Sequence, residues 1–165
     1  MRTIPLTRGK IAIVDNKDYA FLAQRSWCCG ADGYVKSEES LGSKDGKRKR
    51  RTLLMHREII RPKIGYEVDH INKDKLDNRR RNLRIATRSQ NCMNRESFSG
   101  ASSRYKGVSW HRTSQKWAAR IKKDGKTKWL GTFKSERAAA RAFDDHVSKM
   151  HGKFAVRNFA KGKNK

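Results

Sequence analysis

Val68-Asp-His-Ile-Asn-Lys-Asp-Lys-Leu-Asp-Asn-Arg-Arg-Arg-Asn-Leu-Arg-Ile-Ala-Thr-Arg-Ser-Gln-Asn91 is the stretch that decides how this chain reads. Short strands fit near Val68 to Asn72 and near Leu83 to Ala86. The residues between them are rich in Asn and Asp, which favour turns because their side chains bond nearby backbone. A helix can start after Thr87 and carry Asn91. The pattern predicts a ββα unit that gathers Asp69, His70, Asn82 and Asn91.

Those residue types suit phosphodiester hydrolysis. The reaction needs an activated water, charge neutralisation at phosphorus and help for the leaving oxygen. An imidazole at His70 can take a proton near neutral pH. Asp69 offers a hard anionic oxygen ligand and Asn91 a neutral one. Two such oxygens, completed by water and phosphate, suit Mg²⁺. The Asn82 carboxamide is expected to accept the second ring N–H of His70 and so fix its tautomer. Asp69 and His70 are adjacent, and a regular strand would turn them to opposite faces. Their cooperation therefore requires the strand to end or twist at this point.

Moving outward, the region after residue 103 is strand-rich. Lys106 to His111, Lys116 to Lys122 and Thr127 to Phe133 are strand-like, and Asp124-Gly125 is a tight-turn signal. Alternation puts Trp117, Ala119 and Ile121 on one face and Lys116, Arg120 and Lys122 on the other. Ser135 is a good helix N-cap, with Glu136 at the positive end of the dipole. Ala139, Phe143, His146 or Val147, and Met150 then form an apolar stripe, and Gly152 can end the helix. The helix should cover the apolar sheet face and leave the cationic face open.

On the N-terminal side, Lys10 to Val14 alternates weakly as a strand, and Asp18 to Arg25 fits a short helix. Gly30 to Gly33 fits a hairpin loop, and Gly42 to Arg51 reads as an exposed basic loop. The expected organisation is therefore 1–97 as one domain, comprising a β-rich scaffold (1–54) and a ββα core (55–97). A linker at 98–103, a sheet-and-helix domain at 104–160 and a basic tail at 161–165 would follow. The fold class is α+β.

Charge identifies the partner class. The chain carries 41 Lys and Arg against 16 Asp and Glu among 165 residues, a net charge of +25. Such a chain repels itself unless a polyanion neutralises it, and nucleic acid is the obvious one. The net charge is +1 over 1–45, +10 over 46–98 and +14 over 99–165, so the partner should meet the last two segments. No apolar run is long enough to span a bilayer, and no signal peptide or lipid-anchor pattern is read. Cys28, Cys29 and Cys92 lack C-x-x-C spacing, which argues against a structural zinc site. They read as packing residues in a reducing cytosol.

Tyr105-Lys-Gly-Val108, Lys116-Trp-Ala-Ala119, Trp129-Leu-Gly-Thr-Phe133, Ala138-Ala-Ala-Arg-Ala-Phe-Asp144 and Asn158-Phe159 resemble the Apetala / ethylene-response-factor DNA-binding domain. The resemblance implies a three-stranded antiparallel sheet in the major groove with a helix behind it. It implies DNA contacts at Lys106, Ser109, His111, Arg112, Lys116, Arg120, Lys122 and Trp129. Ser109 and His111 stand where the family carries arginines, and Arg120 stands where it usually carries Glu. The family's base preference should therefore not transfer.

Met55-His-Arg57, Asp69-His70, Asn78, Asn82-Leu83 and Asn91 resemble the HNH endonucleases of phage homing type. That resemblance implies a ββα-metal centre in which Asp69 and Asn91 hold the metal, Mg²⁺ or alternatively Mn²⁺. His70 would be the general base and Asn82 structural, with His56 as an auxiliary candidate.

Together the two resemblances imply a homing-type endonuclease that cuts double-stranded DNA. It would act as a monomer with no obligate protein partner, in the cytoplasm of a bacterium or phage-infected host. The competing expectations are a transcriptional regulator with an inert HNH scaffold and a nucleoid-type DNA binder.

Overall fold

The computed structural model describes residues 1–44, 47–94 and 100–159. The start of the expected linker (98–99) and the basic tail (161–165) lie outside the described residues. The chain forms two compact units, Met1–Thr87 and a second from Arg88 onward.

The first unit begins with the antiparallel pair β1 (Arg2–Pro5) and β2 (Ile11–Val14), followed by helix α1 (Asn16–Leu22). Next come β3 (Cys28–Cys29), β4 (Val35–Lys44) and β5 (Lys47–Leu54), paired in the order β3-β4-β5. Helix α2 (Met55–Ile60) precedes β6 (Glu67–His70), which pairs antiparallel with β7 (Leu83–Ala86). Ile4, Val14, Leu22, Trp27, Val35, Met55, Val68 and Leu83 form its core. The Trp27 indole N–H, which would be costly to bury unpaired, donates to the Leu22 carbonyl at 2.8 Å.

Two local expectations are corrected. Described residues of the supposed loop Gly42 to Arg51 belong to strands β4 and β5. Their ladder is braced by exposed ion pairs, Arg50 with Glu38 at 2.7 Å and Arg51 with Glu39 at 2.5 Å. A polar strand with both faces near water lacks the alternation that betrays a strand in sequence. Cys28 and Cys92, read as packing residues, are exposed, whereas Cys29 packs against the core.

The second unit opens with helix α3 (Arg88–Asn94), which carries Asn91. Strands β8 (Val108–His111), β9 (Lys116–Lys123) and β10 (Lys126–Phe133) form an antiparallel sheet with β9 in the centre. Asp124 and Gly125 both adopt positive φ, 48° and 79°, as the tight turn between β9 and β10 requires. Helix α4 (Glu136–His151) packs on the sheet, and Ser135 caps it by accepting the Ala138 N–H at 3.2 Å.

Ala119, Ile121, Ala139, Ala140, Phe143 and Val147 are buried between sheet and helix. Of the two alternatives at 146 and 147, Val147 holds the apolar stripe, while the His146 ring bonds the Ala142 carbonyl. Buried Asp144 accepts the backbone N–H groups of Asn158 and Phe159, pinning the following chain to α4. Gly107 has φ 75°, and a Cβ there would lie 2.1 Å from the Phe143 ring. Only glycine lets this backbone pass over that ring.

Candidate functional site

Strand β6 ends at His70 because the chain turns there. The Lys73 N–H donates to the His70 carbonyl at 3.0 Å, and the Ile71 N–H to the Asn82 carbonyl at 2.8 Å. The loop between β6 and β7 is closed by its own Asn and Asp side chains. Asn72 Oδ1 accepts from Asp74 N, and Asp74 Oδ1 from Leu76 N, both at 2.9 Å. Such side-chain turns replace the backbone ladder that the loop cannot form. Asp77 holds the Arg79 guanidinium at two points, each 2.6 Å, and this contact keeps its carboxyl below the usual range.

The N-terminal scaffold clamps the same loop. Ile13 on β2 donates to the Leu76 carbonyl at 2.9 Å and accepts from Asn78 N at 2.8 Å. Buried Asp18 on α1 takes the Arg80 guanidinium in two contacts of 2.8 Å. Asp15, at the N-cap position of α1, spends its carboxylate on the Arg80 backbone N–H instead of on the helix.

Asp69 and His70 are both buried. Asp69 faces Arg84 across the β6–β7 pair, and its Oδ2 accepts from Arg84 Nε at 2.7 Å. His70 Nε2 lies 3.4 Å from Asn78 Oδ1. The Asn78 carboxamide is itself fixed by donating to the Lys75 and Leu76 carbonyls. A proton on Nε2 is the tautomer that suits an oxygen acceptor, and it leaves the lone pair on Nδ1. Burial pushes the His70 pKa down, against the smaller opposing effect of Asn78. Burial thus favours the neutral ring, the form a base needs.

The orienting contact expected from Asn82 is made by Asn78. Asn82 instead accepts the Asn72 N–H at 3.0 Å and donates to the Asp77 carbonyl at 2.7 Å, tying the two ends of the loop together. Asn82 stands just before β7, where its carbonyl accepts the Ile71 N–H, and its carboxamide is taken up by the backbone of Asn72 and Asp77.

His56, at the start of α2, sits beside this site. Its ring centroid is 5.1 Å from that of His70 and 5.0 Å from that of Tyr34. Lys75 Nζ lies 4.3 Å over the Tyr34 ring. His56 is buried, its Nδ1 has no hydrogen-bond partner among the described residues, and burial lowers its pKa to about 3. Sequence reasoning missed Tyr34 and Arg84. A distant aromatic carries no local signal, and the Arg84 contact follows only from the β6–β7 register.

Among the described residues, no group of three or more His, Cys, Asp or Glu side chains could hold a metal ion. In the first unit the Asp69 carboxylate is a hard oxygen donor of the kind that suits Mg²⁺; Asn91, the other expected ligand, lies on the second unit. The buried Asp69 carboxylate already attracts a cation, in the form of Arg84.

On the second unit, Ser109, His111, Lys116, Arg120, Lys122 and Trp129 share the sheet face opposite α4, as alternation predicts. Arg120, Lys116 and Lys122 are exposed, as is Trp129. The His111 ring contacts Trp129 edge-on at 5.7 Å. Trp117 packs into the core on the helix side. Arg112 lies exposed in the β8–β9 turn. Lys106 behaves differently: Asn158 holds its backbone, and its ammonium donates to the Met93 carbonyl in α3.

One unit carries a cationic sheet face, and the other a buried Asp–His pair at the end of β6 beside an Asn-rich loop, a combination suited to nucleic-acid chemistry. Family models agree: one described as HNH endonuclease matches residues 62–93, and one described as AP2 domain matches 103–153. An uncharacterized HNH endonuclease of Acanthamoeba polyphaga mimivirus is 31% identical over 151 residues, covering 92% of this chain and 76% of that protein. An AP2/ERF and B3 domain-containing transcription repressor of Arabidopsis thaliana is 39% identical over 71 residues, 43% of this chain and 19% of that protein. An AP2-like ethylene-responsive transcription factor of the same plant is 42% identical over 64 residues, 38% of this chain and 11% of that protein. The chain belongs to the HNH endonuclease family and joins its HNH region to an AP2 domain.

Proposed function

We propose that this protein is a divalent-metal-dependent endonuclease of the homing type, hydrolysing phosphodiester bonds in double-stranded DNA at a site read by its AP2 domain. The observation that carries the reading is the buried His70 beside Asp69, oriented by Asn78 on a loop clamped to the scaffold. His70 accepts the proton of the attacking water. Asp69 and Asn91 are the proposed ligands of an Mg²⁺ or Mn²⁺ ion, which when bound supplies Lewis-acid neutralisation of the phosphate. Asn82 holds the loop closed. Ser109, His111, Arg112, Lys116, Arg120, Lys122 and Trp129 hold the duplex. Lys106 is the remaining proposed duplex contact, and its ammonium also reaches the Met93 carbonyl of α3.

The proposed domain division follows the two family regions, with the nuclease ahead of the reader. Among the described residues no helix is long and apolar enough to cross a membrane.

The second reading is a DNA-binding regulator on an inert HNH scaffold. Arg84 favours it, because a protein cation already occupies the Asp69 carboxylate. Incubation with supercoiled plasmid in Mg²⁺, Mn²⁺ or chelator tests the choice. The nuclease yields nicked or linear DNA with 5′-phosphate and 3′-hydroxyl ends only when metal is present. Intact plasmid in every condition, with duplex still bound, identifies the regulator.

A further inference from the structure

Arg120 differs from the other cations on the open sheet face. It sits on β9, the central strand, and in register it faces Trp129 on β10. Its Nη2 donates to the Ser109 hydroxyl of β8 at 2.9 Å, so the guanidinium reaches diagonally across to the neighbouring strand. Its remaining N–H donors have no partner among the described residues. On the same face the Trp129 and His111 rings meet edge-on, and Ala118 of β9 is buried.

We propose that Arg120 is the residue through which this sheet reads guanine, with Ser109 as its positioning residue. The proposal rests on the reading of this face as duplex-binding. Three physical points support it. A guanidinium presents a planar fork matching guanine O6 and N7, whereas the lysines near either end of β9 are point charges that suit phosphate. The Ser109 tether restricts the rotamers of an exposed side chain, which lowers the entropy cost of directional readout. A central strand lies farthest from both flanking phosphate backbones when a sheet enters a groove. Because Ser109 and His111 leave β8 without arginine, the guanidinium above β8 is delivered from β9.

The test is selection from a randomised duplex library by full-length protein in chelator, so that nothing is cut. Wild type, Arg120→Ala, Arg120→Lys and Lys122→Ala are compared. These side chains are exposed, so the fold tolerates the changes. Wild type is expected to enrich a motif containing guanine, and replacing that base with 7-deazaguanine should weaken binding about tenfold. Arg120→Ala and Arg120→Lys should lose the guanine preference and be indifferent to the replacement. Lys122→Ala should keep the motif while binding all duplexes more weakly, with a shallower salt dependence. An Arg120→Ala protein that enriches the same motif and is equally weakened by 7-deazaguanine would overturn the proposal. Wild type that retains no duplex at all would overturn the underlying reading as well, and the two failures are distinct.

Discussion

Replacing Asn78 by Ala separates the two asparagines that bear on His70. Asn78 is fully buried, and its carboxamide makes the contacts to the Lys75 carbonyl (3.1 Å), the Leu76 carbonyl (3.2 Å) and His70 Nε2 (3.4 Å). Each lost bond costs about 1 kcal/mol, so a destabilisation of about 2–4 kcal/mol is expected once the space left by the side chain is included. General base catalysis contributes about 10²–10⁴-fold, which sets the ceiling for losing the ring's orientation. A fall of about 10²-fold in single-turnover cutting is expected, within that range. Asn82→Ala should cost similar stability, since it removes the bonds to Asn72 and Asp77, but it leaves the imidazole contact intact. Circular dichroism melts fix a temperature at which both variants are folded, and plasmid nicking is timed there. Asn78→Ala should cut more slowly than Asn82→Ala. Wild-type cutting by Asn78→Ala, or a reversed order, would refute the assignment of the orienting contact.

Other outcomes follow from the same geometry. Gly107→Ala combines positive-φ strain with overlap on a buried ring, each costing about 1–3 kcal/mol. The unfolding midpoint of the AP2 unit should drop by about 10 °C or more, and a change within a degree or two would show that Phe143 has room to yield. Neutral His56 makes the nuclease unit acid-labile. Its folded pKa of about 3 lies below the unfolded value of about 6.5, so the unfolded state alone takes up the proton as pH falls through 6.5. Its contribution is complete above that pH and declines toward pH 3, by about 2 kcal/mol at pH 5, so the acid loss should be smaller by about that amount in His56→Phe when denaturant melts are compared, while the share from buried His70 remains. Asp18→Asn should lower stability by about 1–3 kcal/mol, since it removes charge-assisted bonds to a partly exposed Arg80. Unchanged urea midpoints would mean that this clamp contributes nothing.

What the sequence disclosed depended on whether the signal was local. The alternation in Lys116–Lys122, the Asp124-Gly125 turn and the Ser135 cap fix neighbours in the chain, and the sheet and α4 formed where those signals lie. The HNH spacing located the β6–β7 pair and the loop between its strands. Which asparagine meets His70 was not legible, because it depends on the Asn82 carboxamide being taken up by the backbone of Asn72 and Asp77. Arg84 opposite Asp69, and Tyr34 beside His56, arise from strand register and long-range packing that no spacing encodes. Strands β4 and β5 hid behind a polar composition suited equally to a loop.

The most direct test compares wild type with His70→Ala on one labelled duplex, measuring affinity in chelator and strand scission in Mg²⁺. The account predicts equal affinity and scission reduced at least about 10²-fold in the variant. Undiminished scission by His70→Ala, or wild type that binds but never cuts with Mg²⁺ or Mn²⁺, would contradict it.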